Sequence, residues 1–293
     1  MRFDSYHPAI NLIYFAMVFG FTIAISHPVF VMIAFLSSFI YSVKLNGKKQ
    51  VVLNVSLIPL ILLYTAWYSY YNHFGITNLY SNFIDNKITL EAVTYGFIIS
   101  VKVATIVMLC SCLFSIFTTD KVVYLFGKVS PKLSLYLSIV LRFVPRIKNQ
   151  SKRINTGRKG IGRGALQGNL IERVINLFKR ISITITWALE SLIESATSMK
   201  SRGYILKGRT AFSIYRFDNR DRVFVISIFA IFIVVMMAVM LGQTYVMFDP
   251  SIVISRFTTI SIAFYLAYAL LFLLPMILQV IGEIKFKRLQ SRI

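Results

Sequence analysis

Six stretches of this chain are apolar over lengths that approach the roughly 20 residues a helix needs to cross a bilayer. They run Ala9 to Ser26, Pro28 to Val43, Val51 to Tyr71, Ala92 to Phe117, Val223 to Leu241 and Phe257 to Ile281. Such runs have few options. Hydrocarbon offers no partner to peptide N–H and C=O groups, so each run must close its hydrogen bonds within itself as a helix. The first two are short and separated by His27 alone, so they read as a tight pair that tilts or leans on its neighbours. Trp67, Tyr68, Tyr70 and Tyr71 form an aromatic belt at the far end of the third. With 57% hydrophobic and 15% charged residues, the chain is too apolar for a soluble protein. Asp4 and His7 interrupt its start, and the apolar run from Ile10 continues into a second, so the first span is expected to remain as an anchor rather than a cleaved signal.

The charge sits in one place. Formal net charge is +21, and 15 of these charges fall within residues 118–222, which hold 21 Lys and Arg against six acids. Alternate connections are basic: Arg2, then Lys44, Lys48 and Lys49, then 118–222, then Lys285, Lys287, Arg288 and Arg292. The others carry His27, then Asp85, Lys87 and Glu91, then Asp249 and Arg256. The positive-inside rule therefore places both termini and the middle segment in the cytoplasm, and six spans satisfy that parity. The expected architecture is an all-α membrane protein of about six transmembrane helices. Residues 1–117 carry helices 1–4, 118–222 form a cytoplasmic or interfacial domain, and 223–293 carry helices 5–6. Local basic charge of this kind suits an anionic leaflet or an acidic protein surface, and no nucleic-acid partner is expected.

Within 118–222 the apolar pattern is helical. Leu133, Tyr136, Leu137, Val140, Val144 and Ile147 recur every three or four residues, with Ser138, Arg142, Arg146, Asn149 and Arg153 opposite. Pro145 removes a backbone donor inside this helix and predicts a kink. The run Gly157 to Gly164, with Arg158, Lys159 and Arg163, is expected to break it. A second periodic stretch follows through Leu170, Val174, Leu177, Ile181, Ile185, Ala188, Leu192, Ala196 and Met199, with Trp187 among the residues opposite. At 1.5 Å per residue it is roughly 45 Å long, too polar to span and long enough to cross beneath a membrane. Gly203 ends it.

Few residues invite chemistry. Ser201-Arg202-Gly203 is at least a helix C-terminus, with glycine free to turn left-handed and a cation complementing the dipole. Arg202 at the tip of a long rod is also a donor fork suited to a partner's carboxylates. The Gly157 to Gly164 run lacks the Gly-Lys-Ser/Thr of a phosphate loop, so it reads as a solvated or headgroup-contacting turn. Arg142 beside Pro145 serves a bend as readily as recognition. Lys102 lies midway along the fourth span, where no acid is at hand; snorkelling is at least as good a reading as a functional charge. Cys110 and Cys112 would point to different helix faces, and His7, His27 and His73 are scattered, so neither a disulfide nor a metal site is expected. No nucleophile and base stand at a useful spacing, and no intramembrane acids mark a proton- or ion-driven carrier.

The order of features resembles the transmembrane T component of energy-coupling-factor transporters, the CbiQ/EcfT family. The likeness rests on His7-Pro8 before the first span, Ser26-His27-Pro28 between the paired spans, Thr118-Thr119, and Leu141-Arg142-Phe143-Val144-Pro145. It is strongest in Glu190-Ser-Leu-Ile-Glu-Ser-Ala-Thr-Ser-Met-Lys-Ser-Arg-Gly-Tyr204, which looks like the family's second Ala-Arg-Gly motif with Ser201 in place of alanine, followed by Gly208-Arg209-Thr210. The first such motif is not intact. Gly160-Ile161-Gly162 and Gly162-Arg163-Gly164 both fall near its place, leaving its arginine open between Arg158 and Arg163.

The resemblance implies a non-catalytic scaffold in the plasma membrane of a prokaryotic cell. Two cytoplasmic ABC-type ATPase subunits would receive the tips of two coupling helices, through Ser201, Arg202 and Gly203 at one and Gly162, Arg163 and Gly164, or Arg158, at the other. Arg142, Pro145 and Met199 would shape the coupling helices. A membrane-embedded substrate-binding S component would pack on the same helices and deliver a vitamin or a transition-metal ion. ATP and Mg would belong to the partners, and this chain would bind no cofactor and no metal. The alternatives are a self-sufficient carrier or channel with a lipid-binding basic segment, and a membrane enzyme acting on a lipid-linked substrate.

Overall fold

The computed structural model describes residues 3–81, 87–204 and 215–291. Nine α-helices dominate these residues: α1 Pro8–Ala24, α2 Pro28–Asn46, α3 Lys48–Tyr71, α4 Leu90–Ile116, α5 Thr119–Val129, α6 Pro131–Gly160, α7 Leu170–Ser201, α8 Asn219–Met240 and α9 Thr259–Gln290. Two small antiparallel hairpins, β1 Asn78–Ser81 with β2 Lys87–Thr89 and β3 Val246–Met247 with β4 Val253–Ile254, close the connections after α3 and α8. The chain forms two units, Met1–Thr118 with Tyr215–Ile293, and Thr119–Ile214.

The first unit holds the apolar helices. Five of them, α2, α3, α4, α8 and α9, are long and apolar enough to cross a membrane. The protein is thus a multi-pass, all-α membrane protein. Of the about six expected spans the first is the short one: α1 has 17 residues, about 26 Å of helix against a hydrocarbon core of about 30 Å. Proline explains where it stops. A residue before proline is pushed out of the helical region, and His27 is extended at φ −66°, ψ 129° ahead of Pro28. His7 is likewise extended ahead of Pro8 and caps α1, its Nδ1 accepting from the Ala9 amide at 3.2 Å. Both prolines stand at the first helical position, where a missing N–H costs nothing.

Packing centres on α2 and α4. α4 lies against α1, α2 and α3, while α9 lies against α2 and α8. Aromatic side chains fill the space between α1, α2, α8 and α9. Phe30 meets Tyr265 at 4.8 Å and Tyr268 at 5.0 Å, Phe21 meets Phe232 at 5.3 Å, and Phe3 lies edge-on to Tyr14 at 5.3 Å. Such edge-on pairs add to burial through the ring quadrupole.

Several buried polar groups in this unit bond one another across helices. Gln50 and Asn54 of α3 are buried; Asn54 receives a bond from Gln50 at 3.0 Å and donates to Ser42 of α2 at 2.8 Å. Ser111 of α4 donates to Gln50 at 2.8 Å, and Asn46 donates to Ser111 at 3.2 Å, so one ladder joins three helices. Tyr14 donates to the Leu271 and Phe272 carbonyls of α9, both at 3.2 Å. Lys102 also has a purpose that needs no acid. Its Nζ donates to the Ile23 carbonyl at 2.8 Å and to Ser26 Oγ at 3.1 Å. Ile23 lies in the last turn of α1, where carbonyls lack intrahelical donors and the dipole favours a cation.

Interhelical hydrogen bonds in membranes are worth about 0.6 kcal/mol on average and at most about 1.7. Asn54→Ala, which breaks two rungs of the ladder, is therefore expected to lower stability by about 1 kcal/mol. Ser56→Ala, which removes only an exposed bond within α3 to the Leu53 carbonyl, should stay within about 0.5 kcal/mol of wild type. Thermal unfolding in detergent checks this, and equal shifts for the two variants contradict it.

Candidate functional site

The second unit is built on α5, α6 and α7. The sequence pattern did not announce α5; it packs on α6, and Ser134 Oγ reaches back to the Val123 carbonyl at 3.2 Å. α6 begins at Pro131, after the extended Ser130, and α7 begins with a capping box in which Asn169 and Glu172 satisfy each other's backbone amides. With 30 and 32 residues, α6 and α7 are about 45 and 48 Å long. α6 is one continuous helix through Pro145, so the expected kink does not divide it.

The apolar stripes foreseen on both helices remain open. Leu133, Tyr136, Val140 and Val144 on α6, and Val174, Leu177, Ile181 and Ile185 on α7, are exposed. Apolar area of this extent on one unit marks a surface made to be covered by lipid or protein. Where the two helices touch, Phe143 stacks on Trp187 with centroids 6.3 Å apart and planes 9° from parallel. The Arg146 guanidinium lies 5.6 Å from the indole centroid, within cation–π range. Trp187 therefore serves the α6–α7 contact, whereas its sequence position put it on the polar side. Arg142 stays exposed beside this stack.

The ends of α6 and α7 correct the reading of the glycine run. Gly157 to Gly164 does not break α6 at its start; the helix runs on to Gly160. Gly157 and Gly160 take helical geometry, and the chain reverses only at Gly162, φ +73°. Gly162 N–H then bonds the Lys159 carbonyl at 3.1 Å and Arg163 N–H bonds the Arg158 carbonyl at 2.9 Å. That is a Schellman cap. α7 ends in the same motif: Gly203, φ +76°, bonds the Lys200 carbonyl at 3.1 Å, and Tyr204 bonds the Met199 carbonyl at 3.2 Å. The cap explains both glycines, because a side chain at positive φ is costly. Met199 is half-buried, while Ser201 and Arg202 are exposed.

The two arginines left open for the first tip are now distinct. Arg158 is half-buried and occupied: Nε donates to the Arg163 carbonyl and a terminal nitrogen to Asn176 Oδ1 of α7, both at 3.1 Å. With Asn155 Oδ1 receiving the Ala165 amide at 3.1 Å and Gln167 Oε1 the Gly164 amide at 2.8 Å, it folds the connection back on α6. Gly164 is buried there, and a Cβ on it would meet Lys159 Cγ at 2.5 Å. Arg163 is exposed. The signal that could have placed the stop was Gly162 following Arg158 and Lys159, a basic last turn before a glycine. Gly208-Arg209-Thr210 lies outside the described residues, as do Arg2, Asp85 and Arg292 of the orientation argument.

A multi-pass α-helical membrane protein carrying a basic two-rod unit is the class these features define. Among proteins of known family, the chain is similar to energy-coupling factor transporter transmembrane proteins EcfT. It is 25% identical to that of Streptococcus thermophilus over 236 residues, 75% of this chain and 86% of the relative. It is 28% identical to that of Bacillus selenitireducens over 155 residues, 57% of that relative's length, and 30% identical to that of Lactococcus lactis over 98 residues, 37% of its length. The chain thus spans little more than half, or less, of the first relatives it matches. No family model matches it.

The glycines offer a test of the corrected helix end. Gly157→Ala and Gly160→Ala, in helical geometry with nothing within 4 Å of the added Cβ, are each expected to stabilise the end of α6 by about 0.5–1 kcal/mol. Gly162→Ala should cost about 1–2 kcal/mol. Hydrogen exchange of amides 150–160 reports both signs; slower exchange in all three variants contradicts the cap.

Proposed function

We propose that this chain is the transmembrane T component of an energy-coupling-factor importer, the scaffold that links ATP hydrolysis to substrate release. In this reading the basic unit is cytoplasmic and its tips dock on two ABC-type ATPase subunits. ATP and Mg belong to those subunits, and this chain contributes no catalytic group and no cofactor. A membrane-embedded S component, which carries the vitamin or transition-metal ion, covers the exposed apolar faces of α6 and α7. Closure of the ATPases on ATP moves the two rods and reorients the S component.

The observation that carries this reading is Arg202. It stands exposed at the end of a 32-residue helix, in a cap whose carbonyls are already satisfied by the Gly203 and Tyr204 amides. Local structure does not require its guanidinium, so it is available to a partner's acids, which it can engage bidentately. The similarity to EcfT proteins supports the same assignment, since the aligned region with the Streptococcus thermophilus protein covers most of both chains. The exposed stripes support it too: lone rods of this length with an apolar face and a cationic tip suit simultaneous contact with a membrane subunit and a water-facing one.

Arg202→Glu places an acid against the acidic groove the reading requires. It is expected to abolish uptake and to lower recovery of the ATPases with the tagged chain at least tenfold, because truncating or reversing a desolvated charge pair costs roughly 2–5 kcal/mol, while membrane insertion is retained. Uptake and ATPase recovery at wild-type levels overturn the docking role of Arg202.

A further inference from the structure

We infer that His27 is an acid-sensitive latch: its neutral imidazole fastens the turn between α1 and α2 to the connection between α8 and α9, and protonation releases it. The latch lies wholly in the first unit and does not depend on the docking of ATPase subunits. With the orientation expected from the basic connections, both segments face the outside, so the signal it reads is external acidity.

The α8–α9 connection is built to receive this side chain. α8 closes at Gly242, φ +68°, whose amide bonds the Val239 carbonyl at 3.1 Å while the Gln243 amide bonds that of Ala238 at 3.0 Å. The β3–β4 hairpin then brings the chain back. Ser255, just past β4, is fixed by its amide on the Tyr245 carbonyl at 3.2 Å, and its hydroxyl donates to the Gln243 carbonyl at 2.9 Å. Ser261 of α9 donates to Gln243 Oε1 at 2.6 Å. Gln243, Ser255 and Ser261 so tie the end of α8 to the start of α9. His27 reaches this cluster from the other half of the sequence, with Nε2 3.4 Å from Ser255 Oγ. Its side chain is 1% exposed, and the Phe30 and Tyr265 rings lie 5.6 and 6.0 Å from it, centroid to centroid.

Counting protons sets the chemistry. A serine hydroxyl has one proton to give, and that of Ser255 goes to Gln243. The Ser255 oxygen therefore accepts from His27 Nε2–H, which leaves Nδ1 as a bare lone pair. Nδ1 is buried without a hydrogen-bond partner. A second proton has only this nitrogen to go to, where it creates a buried charge and a donor facing no acceptor, both costly. The charged groups that the surrounding elements bring up add to that cost. Lys102 of α4 bonds the neighbouring Ser26, and Arg256 follows Ser255; both are cations. Tyr265 of α9 is a neutral phenol in this pH range, α2 contributes only Phe30, and no acid pairs with His27 among the described residues. Burial accordingly holds the imidazole below its ordinary range. The sign follows: the opened ring takes a proton more readily than the latched one. The latched form keeps its full advantage above the ordinary histidine value of about 6.5 and loses it as pH falls from there through the depressed one.

The test uses the full chain in lipid nanodiscs and reads hydrogen exchange of amides 243–258 as protection relative to the unstructured chain at the same pH, so that the pH dependence of the exchange chemistry cancels. Between about pH 7.5 and about pH 5, wild type is expected to lose protection in this segment at least about threefold. His27→Gln keeps an amide donor but cannot titrate, and is expected to show no such fall. His73→Gln, which replaces an exposed histidine elsewhere, is expected to keep the wild-type fall. Ser255→Ala removes the acceptor and is expected to be less protected than wild type already at about pH 7.5. A wild-type segment indifferent to pH, or a fall in His27→Gln equal to that of wild type, overturns the inference. Should His27→Gln fail to fold, Ser255→Ala decides: protection equal to wild type at about pH 7.5 overturns the latch.

Discussion

Hydrocarbon cannot hydrogen-bond, and that single constraint shapes nearly every polar group in the first unit. Backbone groups are closed within helices, and the first two helices start on prolines that have no amide to lose. Several side-chain polar groups are paired between helices. The ladder from Asn46 to Ser111 joins α2, α3 and α4, and Tyr14 reaches the carbonyls of α9. Lys102 shows the constraint most clearly. A lone cation within a span would ordinarily suggest transport chemistry, yet here it finds the free carbonyl of a helix that stops early because proline follows.

The second unit obeys the opposite logic. Its two long helices are closed at their C-terminal ends by backbone bonds and a left-handed glycine, through two matching caps. Arg202 stays exposed at its cap, whereas Arg158 is held by the Arg163 carbonyl and Asn176. Between the tips, Phe143, Trp187 and Arg146 fasten one rod to the other, while long apolar stripes stay open. A unit closed within and open on its surface suits the connector role we propose, in which the tips meet one partner and the open faces another.

Much of this was legible in the residues. Apolar run length located the spans, and three- or four-residue spacing located α6 and α7 because burial of one face imposes that period. Gly203 marked the end of α7. Other features depended on information that spacing does not hold. Four glycines in Gly157 to Gly164 suggested a break, but a glycine inside a helix costs only about 1 kcal/mol, and the helix passed two of them before turning at the one whose amide could reach back to Lys159. Trp187 looked solvent-facing on a single-helix projection because its partner, Phe143, belongs to another helix. α5 is strongly amphipathic but only 11 residues long, and shows only when the pattern is sought over that short a window. The uncertain arginine of the first tip could not be settled from spacing, since Arg158 and Arg163 lie equally near the motif and only three-dimensional partners separate them.

The central claim is that the tip of α7 sits on an ATPase. It is tested most directly by a photo-activated cross-linking amino acid in place of Arg202, with the cross-linked species from the native membrane identified by mass spectrometry. The account predicts an adduct to an ABC-type ATPase subunit, at a groove lined by Asp and Glu. Adducts to lipid alone would contradict it, and the basic unit would then be a membrane-surface element.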